Sequence, residues 1–139
     1  MSANHDIVSN QGETLNLHIL YTDSDDSGVD LSSYEAEMNV RRSSLSGEKL
    51  LHLYSGTTVG ITAGITGSTG GLTGGIFLNR NVGNSGSQTG GILIIAGSTA
   101  SSLVPGGIHF YDLEIKYTPT GTTTRLLDGR FEHSKEVTR

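Results

Sequence analysis

Cysteine is absent from the 139 residues, so neither a disulfide nor a thiolate metal site can hold the fold. Tryptophan is absent as well, and aromatic residues make up only 6% of the chain. That weighs against a sugar-binding face built on stacked rings. Basic charge is sparse: nine Lys and Arg against fourteen Asp and Glu leave a formal charge of −5. The basic residues are scattered, so the sequence carries no electrostatic footprint for nucleic acid. No apolar run approaches the length that spans a bilayer, and Met1-Ser2-Ala3-Asn4-His5-Asp6 lacks the basic-then-apolar pattern of a secretory leader. The expectation is a soluble chain, made and assembled in a cytoplasm, with no membrane partner. Apolar residues reach only 34%, poor material for a self-sufficient core. Such a chain suits a homo-oligomer, which finishes burying its surface against neighbouring subunits.

A helical period of useful length is also missing; what is present is strand alternation. Leu15, Leu17, Ile19 and Tyr21 fall on one face of Thr14–Tyr21, with Asn16 and His18 on the other. Tyr34, Ala36, Met38 and Val40 alternate against Glu35, Glu37, Asn39 and Arg41, and Lys49–Tyr54 reads as a third, short strand. Residues 1–12 read as a polar lead-in. Towards the end, Tyr111, Leu113, Ile115 and Tyr117 face inward while Asp112, Glu114 and Lys116 face water. Thr118-Pro119-Thr120-Gly121 is turn chemistry, so the second apolar run that follows completes a β-hairpin. Pairing Tyr117 with Thr122 places Leu113 opposite Leu126, Ile115 opposite Thr124, and Glu114 opposite Arg125 as an exposed ion pair. Strict alternation beyond Leu126 would bury Asp128 and Arg130 and expose Phe131. Burying Phe131 is worth about 2 kcal/mol, so the pattern predicts a β-bulge at Asp128–Gly129. Leu126 and Phe131 would then both enter the core, and Glu136-Val137-Thr138-Arg139 would be re-aimed towards a neighbouring protein.

This hairpin carries a resemblance. Gly106 with Phe110-Tyr111-Asp112-Leu113-Glu114-Ile115, then Arg125-Leu126-Leu127-Asp128-Gly129-Arg130-Phe131, then Glu136-Val137-Thr138-Arg139, resembles small virion structural proteins of tailed (contractile-tail, myovirus-like) bacteriophages. Asp30-Leu31-Ser32-Ser33-Tyr34 and Met38-Asn39-Val40-Arg41 are similar to that family's early strands. The likeness covers residues 13–42 and 105–139, and the glycine-rich middle departs from it. It implies an all-β, immunoglobulin-like antiparallel β-sandwich of seven to nine strands, one domain over residues 1–139, with a glycine-rich strand and loop insertion at about 56–107. It also implies a non-enzymatic adaptor or decoration subunit of the tail, baseplate or neck. The partners would be other virion proteins and copies of itself, and the location the virion, assembled in the host cytoplasm.

Between Leu50 and Tyr111 the only formal charge is Arg80, and 15 of the 20 glycines lie here. A repeat runs through the stretch: Thr73-Gly74-Gly75-Ile76, Thr89-Gly90-Gly91-Ile92 and Pro105-Gly106-Gly107-Ile108, at a spacing of 16 residues. A Gly-Gly pair opening an apolar run reads as a turn feeding a strand, and equal spacing predicts consecutive antiparallel strands. The regular Ile, Leu, Val and Phe set the stretch apart from a flexible linker. Ordering so much glycine costs backbone entropy, which packing against neighbours would offset.

Chemical motifs are few. Asp23-x-Asp25-x-Ser27-Gly28 matches the first half of a calcium loop, but its twelfth position is Tyr34 where a bidentate Glu is needed. A solvated turn is the better reading, and no metal ligand is assigned. His5, His18, His52, His109 and His133 never fall at a metal-ligand spacing, and each reads as a surface or interface imidazole. There is no Gly-x-Ser-x-Gly elbow, and no Gly-Lys-Ser/Thr to hold phosphate. Asp112 and Glu114 lack a second carboxylate element for acid–base work and read as a solvated face beside Arg125. No catalytic residue and no cofactor is therefore expected. The alternatives are a receptor- or glycan-binding sandwich, and a trimeric fibre-shaft segment built on the 16-residue repeats.

Overall fold

The computed structural model describes residues 3–25, 27–42, 49–55, 60–63, 74–81 and 86–134. In chain order the elements are β1 (Ala3–Asn4), β2 (Ile7–Asn10), β3 (Leu15–Leu20), β4 (Tyr34–Arg42), β5 (Lys49–Tyr54) and β6 (Gly60–Ala63). Then come β7 (Gly74–Arg80), β8 (Ser87–Ala96), the helix α1 (Ser98–Leu103), β9 (Gly107–Tyr117) and β10 (Thr122–Ser134). A large sheet runs in the order β1-β10-β9-β4-β5-β6, with β2 also paired to β10; a small sheet runs β3-β8-β7. The two sheets pack face to face as an all-β sandwich, with ten strands among the described residues.

Period-two patterning builds the layers. Ala36, Met38 and Val40 of β4, Leu51 and Leu53 of β5, and Tyr111, Leu113 and Ile115 of β9 form the inner face of the large sheet. Against them the small sheet sets Leu15, Ile76, Ile92, Ile94 and Ala96. Four of these five small-sheet residues come from the glycine-rich middle. The expected insertion is the second layer of the sandwich, because β7 and β8 supply two of the three strands facing the large sheet.

The first two copies of the 16-residue repeat sit in β7 and β8, which pair antiparallel with Ile76 and Ile92 fully buried. The third opens β9 in the other sheet, where Ile108 is 55% exposed. The crossing is made by α1, a helix of six residues, too short to leave a period in the sequence. The lead-in is likewise structured. β1 and β2 pair parallel with β10, and Ile7 joins the core, so the large sheet is mixed at this edge.

The hairpin has the expected start: Thr122 pairs Tyr117, Thr124 pairs Ile115, and Arg125 pairs Glu114. The bulge is displaced from the expected place. Register shifts between Arg125 and Leu127, so Leu127 stands opposite Leu113, and pairing is unbroken from Leu127 to His133. Leu126 is half-buried against the core and Phe131 is buried. Gly129 serves the other edge of β10, where β1 hands over to β2. A Cβ there would lie 2.5 Å from the His5 carbonyl oxygen. At this break His5 N–H donates to Asp128 O at 2.9 Å, and the Arg130 N–H donates to Asp6 Oδ1 at 3.0 Å. The expected course of 136–139 lies outside the described residues.

Candidate functional site

Charge gathers on the outer face of the large sheet. Cross-strand register puts Glu37 directly opposite Glu114, and Asn39 opposite Asp112, at the centre of that face. Like charges in direct register repel, and each carboxylate has a cation or imidazole beside it. His52 Nε2 donates to Glu37 Oε2 at 2.6 Å, and an Arg125 terminal nitrogen lies 3.3 Å from Asp112 Oδ2 and 3.5 Å from Glu114 Oε2. Asp112 is only 6% exposed although it points away from the core. The expected exposed Glu114–Arg125 pair is thus a three-residue cluster holding a buried carboxylate. Beside it a shallow cleft of about 260 Å³ opens between Glu35, Glu37, Tyr54, Glu114 and Lys116.

The Asp23 N–H donates to the Ser27 carbonyl at 2.9 Å. The Asp23 carboxylate accepts from the Asp25 and Ser27 N–H groups at 2.8 and 3.1 Å, which commits one of its oxygens to the backbone. Among the described residues no group of three or more His, Cys, Asp or Glu is placed to hold a metal ion. The five histidines divide. His5 is exposed, His18 donates to the Arg80 carbonyl at 2.9 Å from the small sheet, and His52 is tied to Glu37. His109 and His133 depart from the surface reading: both are 3% exposed. In β9 and β10 they occupy positions in phase with Tyr111 and Phe131, so the pleat turns them inward.

Asn79 escaped the sequence reading altogether. It is the one described non-glycine residue with positive φ, at 58°, where β7 loses register with β8. Its side chain accepts from the Leu31 and Gly90 N–H groups at 3.0 and 3.1 Å and donates to Asp30 Oδ1 at 2.9 Å. Asn tolerates this backbone because its short amide bonds locally. Hydrogen bonds from the Ser32 N–H and Asn79 hold the Asp30 carboxyl below its usual range. A second cleft of about 330 Å³ lies beside Asn79, between the sheets, with Tyr34, Ser32 and Ser55 at its rim.

Exposed apolar surface concentrates at one edge. Val8 in β2 and Ile108 in β9 flank Glu132 of β10 in a single cross-strand row, and they are 70% and 55% exposed. Compared with known proteins, the chain matches no family model and no curated protein.

Proposed function

We propose that the chain is a non-enzymatic structural subunit of a tailed-phage virion, acting as an adaptor or decoration protein through contacts with copies of itself and with other virion proteins. The observation that carries the assembly part is the exposed Val8–Ile108 row, which crosses β2, β10 and β9 at the β2 edge of the large sheet. Large apolar side chains beside an open strand edge favour pairing with another chain. The virion setting, with its tail, baseplate or neck position and its immunoglobulin-like sandwich, is supported by the likeness of the 105–139 hairpin and of residues 13–42. Sedimentation and negative-stain imaging of the purified protein test the first part, with a discrete oligomer expected and a stable monomer at high concentration overturning it. Mass spectrometry of purified particles from the encoding phage tests the second, and absence from the particle would overturn it.

A second reading, a glycan-binding module, is favoured by the cleft between the sheets, where an aromatic ring stands beside hydroxyl and amide groups. A glycan-array signal lost in Tyr34→Ala would support it, and a blank array would remove it.

A further inference from the structure

Two imidazoles fasten one end of the sandwich. His133 of β10 reaches in two directions. Its Nε2 lies 3.0 Å from the Ser101 carbonyl in α1, and its Nδ1 lies 2.6 Å from Ser9 Oγ in β2. A carbonyl only accepts, so Nε2 carries the proton and Nδ1 accepts from the Ser9 hydroxyl. His109, on the neighbouring strand, donates from Nε2 to the Pro105 carbonyl at 2.7 Å; its Nδ1 is buried without a hydrogen-bond partner. The same segments are stitched together by Ser101 Oγ to the Asn10 carbonyl at 3.2 Å and by Gln11 Nε2 to the Ser102 and Val104 carbonyls at 3.2 and 3.1 Å. We propose that the His109–His133 pair is an acid-sensitive latch, which holds β2 and α1 on the large sheet while both rings are neutral and releases them when the rings are protonated.

The chemistry runs one way. A proton on His109 Nδ1 creates a buried donor with no acceptor. A proton on His133 Nδ1 turns an acceptor into a donor facing Ser9, and both changes put positive charge side by side in the interior. Arg42 of β4 stands opposite His109 in register and adds a cation, while the Asp6 and Asp128 charges lie towards Tyr111. β2 (Ile7–Asn10) and α1 (Ser98–Leu103) carry no charged side chain. Arg130 and Glu132 of β10 alternate to the outer face, and the further titratable group in phase on β9 is the Tyr111 phenol. Burial, with His109 adding to it, holds His133 below the usual imidazole range, in keeping with this geometry. Release would leave the β10 edge over Phe131–Ser134 without its β2 partner.

Hydrogen exchange of the intact chain at pH 7.5 and pH 5, corrected for intrinsic rates, tests the latch. Amides of residues 7–10 and 98–104 should lose protection at pH 5, while β4 and β5 keep theirs. His133→Gln and His109→Gln, which cannot charge, should each reduce that response. Should a variant fail to fold, imidazole NMR titration of the natural chain decides, with the His133 midpoint expected below 6.5, the value of a free ring. Unchanged protection, loss of protection in all strands together, or a His133 midpoint at or above 6.5 would overturn the proposal.

Discussion

Arg125 sits over a carboxylate that the sheet has taken out of water. An exposed arginine–glutamate pair is worth under about 1 kcal/mol, but Arg125→Ala would also strip Asp112 of its cation partner. The expected loss is therefore about 1–3 kcal/mol, the cost of leaving a buried polar group unmatched, read by urea denaturation. An Asp112→Asn, Arg125→Ala double variant should recover part of it. Gly129→Val should cost about 2–4 kcal/mol, as steric and backbone strain do at such sites, because its Cβ would press on the His5 carbonyl. Tyr111 donates its hydroxyl to the same carbonyl, and burial with the nearby Asp128 and Asp6 charges pushes its pKa up to about 12. A raised folded-state value means stability is full below the unfolded value of 10 and falls as pH rises from there towards 12. A melting temperature that falls over that range in the natural chain, and less steeply in Tyr111→Phe, would bear this out.

Within β10 the bulge illustrates how an element resolves a conflict in its sequence. Alternation from Thr122 and the need to bury Phe131 are out of phase by one residue, so one extra residue has to be absorbed. Glycine made Asp128–Gly129 look the obvious place, but the chain absorbs Leu126. A half-buried leucine loses little by sitting out of register, and Gly129 is already occupied with the crossing of β1 and β2 on the opposite edge. Deleting one residue of the Leu126-Leu127 pair should remove the bulge while keeping every cross-strand pair, at about 1–2 kcal/mol for the lost apolar burial. Retained amide protection at Phe131 would confirm the placement; loss of the hairpin would refute it. α1 and the two N-terminal strands, by contrast, are too short for any period to show, and the strands' partners in β10 lie 124 residues away in sequence.

At the scale of the molecule, the glycine-rich middle completes the sandwich. Gly28, Gly90 and Gly91 let three backbone segments touch: a Cβ on Gly90 would lie 2.5 Å from the Tyr21 carbonyl, and those on Gly28 and Gly91 would overlap Thr89 O and Arg80 O. That close approach is what these three glycines allow. The proposed assembly would use Val8 and Ile108, two of the five exposed large apolar side chains among the described residues. Val8→Asp with Ile108→Asp should then shift the sedimentation profile towards monomer and leave the melting temperature within about 1 °C, since exposed substitutions change stability little. Unaltered assembly in that variant would move the interface elsewhere.

Period-two alternation over residues 15–20, 34–41 and 111–117 determined those strands, their inner and outer faces and the all-β class, because a half-buried strand has to repeat every second residue. The same alternation, with the Thr118–Gly121 turn, was enough for the register of the hairpin from Thr122 to Arg125. Tertiary structure alone decided which sheet each strand joins. It also sent the third repeat to the opposite layer from the first two, buried Asp112 on an outward face, and turned two histidines into an interior clasp. Those outcomes depend on contacts between residues far apart in the chain, such as Ser9 with His133 and Asn79 with Leu31. Local pattern records the face a side chain takes, but the neighbour it meets there is set by how the two sheets close on each other.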